Sequence, residues 1–413
     1  MRHIRYCSLL LALVAVVMGV AAQDTVTIDF AIAASPAELA AVEAQVAAFE
    51  EANPSVDVVV TALPEYETQL QAAFASGEYP DVFYVGQAKF AEYAEAGVLA
   101  SAADTLDMSG IYQSLQDTFS IEGEVVCPAK DYSLLGLVYN KDMFDAAGLD
   151  YPTADWTWDD LLAASTALTT DEVAGITVNP DMDRWYQFYV AAGGEMYDEE
   201  GNFMVDEEAA TRAAEFFGRL FSEGGAKTSA DLGAGWTGEA FGKGQAAMTI
   251  EGNWMIGYML EQFPDINWGA AEVPGTPEGG EGTLTFTVCL GVGADSPDAE
   301  KEAAFMLVDF LTNDEGALQV AEQGFGPIPS RPAGAETYVQ YWVERFADTG
   351  TDAASFQSFI DSAENAVAPI LPPGWGAYRD TLGNALNELI RGNMDAEDVV
   401  EEITEVAEEL AEE

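Results

Sequence analysis

A chain of 413 residues with 72 acidic and 15 basic side chains carries a formal charge of −57, yet 49% of it is hydrophobic. That apolar fraction suffices for packed cores in two or three domains and argues against a disordered acidic chain. Neutralising nucleic-acid phosphates takes clustered Lys and Arg, and an anionic membrane surface repels such a chain, so neither partner is expected.

The N-terminus has the layout of an export signal. Arg2 and Arg5 precede the apolar run Leu9 to Val20, and Val20-Ala21-Ala22 places small or branched residues before Gln23. Residues 1–22 are therefore expected to be a signal peptide, cleaved before Gln23. A dozen apolar residues fall short of the ~20 that span a bilayer. Cys7 follows Ile4-Arg5-Tyr6 rather than small apolar residues, so no lipid anchor is expected. The product is read as soluble and exported, to the periplasm or the cell exterior. Cleavage removes two arginines and no acid, leaving a charge of −59. It also removes His3, the only histidine, and Cys7, leaving Cys127 and Cys289. Without histidine there is no Ser-His-Asp or Cys-His catalysis and no imidazole-built zinc site.

The mature chain alternates strands and helices. Val26, Ile28 and Phe30 mark a strand by their period of two. Ser35-Pro36-Ala37-Glu38 supplies a capping box for a helix that ends at Asn53-Pro54. A strand at Val56 to Val60, a helix from Tyr66 stopped at Gly77, a strand at Pro80 to Val85 and a helix at 87–96 follow. Further on, Val125 to Tyr139 is strand-rich, Thr157 caps a helix to about Leu168, and Asp206 caps another to about Ser222. An exposed loop is expected at Pro274 to Gly282 and a strand at Thr283 to Val292. Helices near 298–312 and 314–323 and an acidic helix over Met394 to Glu413 complete the pattern. Such alternation argues for an α/β chain with a mostly parallel sheet.

Motif chemistry is sparse. The chain lacks a G-x-x-x-x-G-K phosphate loop and a G-x-S-x-G elbow. Asp181 with Asp183, or Asp198 to Glu200 with Asn202, offer oxygen ligands for calcium, but acids at this density cluster by chance, and no metal or cofactor is expected. Aromatics are more telling. Trp185, Trp236, Trp254, Trp375, Tyr66 and Tyr132 are placed near element ends or in loops, where a ring is either core filler or a flat platform for a sugar face.

The order of short motifs resembles the extracellular solute-binding proteins of ABC importers, in particular the sugar-binding group typified by maltose-binding protein. The similar runs are Phe49-Glu50-Glu51-Ala52-Asn53-Pro54, Ala75-Ser76-Gly77-Glu78-Tyr79-Pro80-Asp81-Val82 and Ala96-Gly97-Val98-Leu99. They continue with Leu137-Val138-Tyr139-Asn140-Lys141-Asp142-Met143-Phe144, Trp156-Thr157-Trp158-Asp159-Asp160-Leu161-Leu162, Phe241 to Met248 with Gly252-Asn253-Trp254, and Gly326-Pro327-Ile328-Pro329-Ser330-Arg331.

The resemblance implies an α/β clamp of two lobes joined by crossing hinge strands, a type II-like periplasmic binding fold. The first lobe would be 23–127 plus 290–330, the second 128–289 plus 331–413. Ligand would sit in the interlobe cleft. Contacts are expected from Glu38, Gln87 and Lys89 after the first-lobe strands, from Asp131 and Tyr132 at the crossover, and from Glu251, Asn253 and Trp254 around the G-x-W run. Trp375 is expected as a second stacking ring, with Trp236, Trp185 and Tyr66 as further candidates. Since the crossing strands lie side by side in the family, a Cys127–Cys289 disulfide is also implied.

The implied function is a monomeric, non-enzymatic binder that captures a sugar or oligosaccharide and passes it to a membrane permease. Two alternatives stand beside it. One is a different solute, such as a polyol, a glycoside or a cation, and the other is a secreted glycoside hydrolase using two carboxylates.

Overall fold

The computed structural model describes residues 25–412, apart from 35, 199–201, 324, 325, 370, 371 and 373. The expected signal peptide, Ser35 of the capping box and Glu200 lie outside the described residues. No described helix is long and apolar enough to cross a membrane.

The first strand, Val26–Ile32, buries Ile28, Phe30 and Ile32 completely or nearly so. It pairs in parallel with Val56–Ala62 on one side and Val82–Gly86 on the other. Helix Pro36–Ala52 returns the chain between the first two, and Tyr66–Ser76 between the second and third. In this region the α/β alternation matches the sequence reading nearly residue for residue.

The sheet is mixed rather than mostly parallel. Two long strands, Ala129–Asn140 and Thr283–Gly293, run antiparallel to one another through its middle. Thr283–Gly293 pairs with Val82–Gly86, and Ala129–Asn140 pairs with Ala246–Gly252, both antiparallel. The described sheet then reads Val56–Ala62, Val26–Ile32, Val82–Gly86, Thr283–Gly293, Ala129–Asn140, Ala246–Gly252 and Ala174–Thr177 in spatial order. The reason is topological. The chain leaves the first half along one long strand and comes back along the other, so the two must point in opposite directions.

Two hydrophobic cores form, one on each side of this crossing. The first holds Phe30, Phe49, Phe83, Phe90 and Leu290, together with Trp268, Tyr338, Trp342 and Phe356. The second holds Leu135, Trp158, Trp185, Phe216, Met248, Leu382 and Ile403. Residues after 331 thus feed both cores. The helices Ala335–Arg345 and Ala353–Asp361 pack into the first, and Gly376–Ile390 and Ala396–Glu412 into the second.

Local signals explain the element ends. Thr157 and Asp160 form a reciprocal capping box at the start of Trp158–Leu168. Asn140 and Asp206 each accept a backbone N–H at the N-termini of their helices. Gly148, at φ 67°, ends Lys141–Ala147 in a left-handed cap that a Cβ would strain. Cys127 and Cys289 are joined in a buried disulfide, Cα to Cα 5.7 Å, where the two long strands begin to pair. A β-bulge lies beside it, between Val288 and Cys289.

Candidate functional site

A cavity of about 550 Å³ opens beside the long strands and draws its lining from both cores. Strand ends supply one wall. Ala33 follows Val26–Ile32, Tyr84 and Gly86 lie in Val82–Gly86, and Gln87 starts the next helix. Carboxyl ends of parallel strands are where helix and sheet diverge, so a crevice there is the expected outcome of the topology. The crossing strands add Lys130, Asp131, Ser133, Phe286, Thr287 and Val288. The second core adds Met182, Asp183, Trp254, Trp375 and Arg379 around the rim.

A charged knot sits in the first wall. Lys130 Nζ donates to Glu38 Oε1 at 3.3 Å and to Asp131, and lies 4.9 Å over the Tyr84 ring. Tyr84 also donates its hydroxyl to Glu38 Oε1 at 3.3 Å. Burial raises the Glu38 carboxyl above its ordinary value of 4.5; Lys130 pulls it down, but not far enough to cancel the burial. Burial likewise pulls Lys130 down, yet Asp131, Tyr84 and Glu38 together hold its ammonium above the usual lysine range. Such a cluster is rigid and presents fixed donors and acceptors to whatever enters.

The opposite wall is aromatic. Trp254 packs edge-on against Phe286 with centroids 5.1 Å apart. Its ring lies over Gly252, where a Cβ would come within 2.2 Å of the indole, so only glycine allows this approach. Trp375 is half-buried, with the Arg379 guanidinium 5.5 Å from its ring centre. Arg379 in turn donates to Asp183 at 2.9 Å.

Of the residues expected from the sequence, Glu38, Tyr66, Gln87, Asp131, Trp254 and Trp375 line this cavity. Two of them spend their polar atoms on the fold. The Tyr66 hydroxyl donates to Tyr84 O at 2.8 Å. Gln87 donates to Thr285 O and accepts from Thr287 N, each at 3.0 Å, and so behaves as an extra peptide group on the long strand.

The other six expected residues do not line it. Lys89 pairs with Glu92 on its own helix at 2.7 Å. Tyr132 is buried edge-on against Tyr112. Trp185 is fully buried in the first turn of the helix Met182–Ala191, stacked on Tyr189. Trp236 packs against Tyr258. Glu251 is a buried carboxylate holding Arg184 at 2.7 Å. Asn253 is buried and joins Leu134 N to Gly326 O. The sequence reading did not single out Tyr84, Lys130, Phe286 or Arg379, and it named Asp183 only as an oxygen ligand for calcium. Strand alternation sets Tyr132 on the face opposite Asp131 and Ser133 and so argues against Tyr132, whereas Lys130 lines the cavity from the register shift between Ala129 and Asp131, which alternation does not reveal.

Of the oxygen-rich candidates for calcium, Asp183 lies in the cleft lining and Glu199 and Glu200 lie outside the described residues. Asp181 caps the helix Met182–Ala191, and Asp198 accepts from Asn202. Among the described residues, no group of three or more His, Cys, Asp or Glu is arranged to hold a metal.

A second cavity, of about 600 Å³, lies between Val26–Ile32 and the Asp295-Ser296-Pro297 turn. Its lining comes from the side of the first core alone, with no residue of the second core. The cleft between the cores, lined by both charged and aromatic side chains, is the better candidate for ligand.

Comparison with known proteins agrees with this geometry. The profile of the bacterial extracellular solute-binding protein family matches residues 33–318. A binding protein of Brucella abortus is 24% identical over 376 residues, covering 86% of each chain. Among solved structures, an ABC substrate-binding protein from Listeria monocytogenes, in complex with cycloalternan, has a TM-score of 0.79 and 26% identity over 94% of this chain and 99% of that one. The cyclic alpha-maltosyl-1,6-maltose binding protein of Arthrobacter globiformis has a TM-score of 0.81 at 20% identity over 94% and 99%, which speaks for the fold. With two cores, two crossing strands and a cleft between them, this chain is a two-lobed member of the bacterial extracellular solute-binding protein family.

Proposed function

We propose that the protein captures a sugar or oligosaccharide in this cleft outside the cytoplasm and delivers it to the permease of an ABC importer. One observation carries the reading. Two indoles, Trp254 and Trp375, line the same cavity as the Glu38–Lys130–Asp131 knot. Indole faces suit the C–H side of a sugar ring, and a fixed set of carboxylates and an ammonium suits its hydroxyls. Capture would proceed by lobe closure, with ligand favouring the closed form because both walls touch it there. The lobes in this reading are 23–127 plus 290–330, and 128–289 plus the C-terminal helices, with 335–361 associated with the first core.

The same knot argues against hydrolysis. Glu38 and Asp131 share one ammonium instead of flanking an open space as separate acid and base. A cationic solute is the second reading, because four carboxylates (Glu38, Glu67, Asp131 and Asp183) and two cations line the cleft.

A thermal-shift panel tests these readings, because a ligand that binds only the folded state raises the melting temperature by mass action. Maltose, maltotriose, lactose, diacetylchitobiose, sorbitol and spermidine make a suitable set. A rise with a saccharide and no hydrolysis products on incubation supports sugar capture. A rise with spermidine alone favours the second reading, and released monosaccharide would overturn both.

A further inference from the structure

The two cleft indoles are linked by a continuous run of charges. Trp254 donates its Nε1–H to Glu251 Oε2 at 3.1 Å. Glu251 is only 1% exposed, and it also accepts from Arg184 at 2.7 Å and from Thr237. A buried carboxylate with three donors around it has one settled position, and its removal would strand Arg184 without its main partner. The Arg184 guanidinium lies 5.9 Å from the Trp254 ring centre and within 3.9 Å of both Asp181 and Asp183. Asp183 accepts from Arg379 at 2.9 Å, and Arg379 lies over Trp375. Trp254 follows the strand Ala246–Gly252, while Trp375 precedes the helix Gly376–Ile390, so these rings belong to different elements.

We propose that Glu251, Arg184, Asp183 and Arg379 are positioning residues that together fix the spacing and tilt of the Trp254 and Trp375 rings, and so set which ligand length and ring orientation the cleft accepts. The inference rests on the sugar-capture reading for its purpose, but the linkage of the rings stands or falls without any sugar. Asp183 is the informative member, because its ion pairs are with Arg184 and Arg379, one beside each indole. Glu251 clamps one end directly, and Arg379 covers the other.

The test uses the full mature chain labelled with 5-fluorotryptophan and followed by fluorine NMR. The Trp254 and Trp375 resonances are assigned with Trp254→Phe and Trp375→Phe. Asp183→Asn is expected to shift both resonances and leave those of the buried Trp268 and Trp342 in place, while Asp183→Glu, which keeps the charge, returns both toward their original positions. Glu251→Gln is expected to shift or broaden Trp254 and also to move Trp375. A change confined to one of the two rings in both Asp183→Asn and Glu251→Gln overturns the proposal, as does a spectrum with neither ring moved. Should Asp183→Asn move all tryptophan resonances at once, the substitution acts on the whole fold, and that too overturns it. Since no sugar is added, a negative result here leaves the sugar-capture reading to its own panel.

Discussion

Lys130 lies 3.3 Å from Glu38 and also binds Asp131, so a single ammonium serves two carboxylates in the wall of the cleft. Removing it would leave two acids crowded and poorly solvated. Lys130→Met should destabilise the protein by about 3 kcal/mol, the usual cost of stripping one partner from a buried pair. Lys130→Arg, which keeps the charge, should recover part of that loss. Denaturant unfolding of the two variants checks both statements.

Glu38 offers a test by pH. Its carboxyl is raised above 4.5 in the folded protein, chiefly by burial, so folding favours its protonated form. The stability this confers is fully present below 4.5 and is lost as pH rises through the higher folded value. Glu38→Gln does not titrate there. The melting temperature of the variant should therefore gain on that of the natural protein as pH rises from below 4.5 to neutrality. A difference that stays level, or that runs the other way, would contradict the burial-dominated environment described for Glu38.

Tryptophans separate core from cleft. Trp185 is fully buried, and Trp185→Ala should cost about 3–5 kcal/mol of stability through the cavity it leaves. Trp375 is half-buried at the rim, and Trp375→Ala should change stability by no more than about 1 kcal/mol. For a saccharide found by the thermal-shift panel, titration calorimetry should show the reverse order of effects on affinity. Trp375→Ala weakens binding on the order of tenfold if one aromatic stack is lost, and the milder Trp185→Phe leaves affinity near its original value.

The disulfide gives a chemical prediction. Protein produced from Gln23 onward, without Cys7, should when denatured show no titratable thiol before reduction and two after it, from Cys127 and Cys289. Replacing both by serine should lower stability by about 2–5 kcal/mol, because the bond closes a long loop, 162 residues in sequence separation.

Charge should make stability salt-dependent. A formal charge of −57 repels itself, and molar salt shortens the reach of that repulsion to about 3 Å. The melting temperature should rise steadily from low to molar salt, and a flat profile would show that the acids are already compensated.

The fold was largely legible because its signals are local. Strand alternation, the Thr157 cap and the glycine stop at Gly77 each act within a few residues, and each reappears in the structure. The family motifs also indicated the crossing strands, which local patterns alone could not pair. The cleft was only half legible. Glu38 and Trp254 follow strands at positions where side chains enter the crevice. Trp185 looked like a loop residue because the helix Met182–Ala191 was not identified. Glu251 and Asn253 flank Trp254 in sequence but turn inward to fix the backbone. Lys130 and Arg379 escaped notice because their roles depend on partners far along the chain, Glu38 at a separation of 92 and Asp183 at 196. Strand Val82–Gly86 is almost wholly buried on both faces, so nothing in its pattern marks Tyr84 as the residue beside the cleft.

The Cys127–Cys289 bond has a consequence for survival outside the cell. The chain between these residues supplies the second core from Leu135 to Leu284 and includes the exposed turn at Pro277-Glu278-Gly279. A protease that cuts that turn severs the backbone but leaves both pieces tethered at the crossover, with the two long strands still held in register. A nicked molecule therefore remains one covalent body.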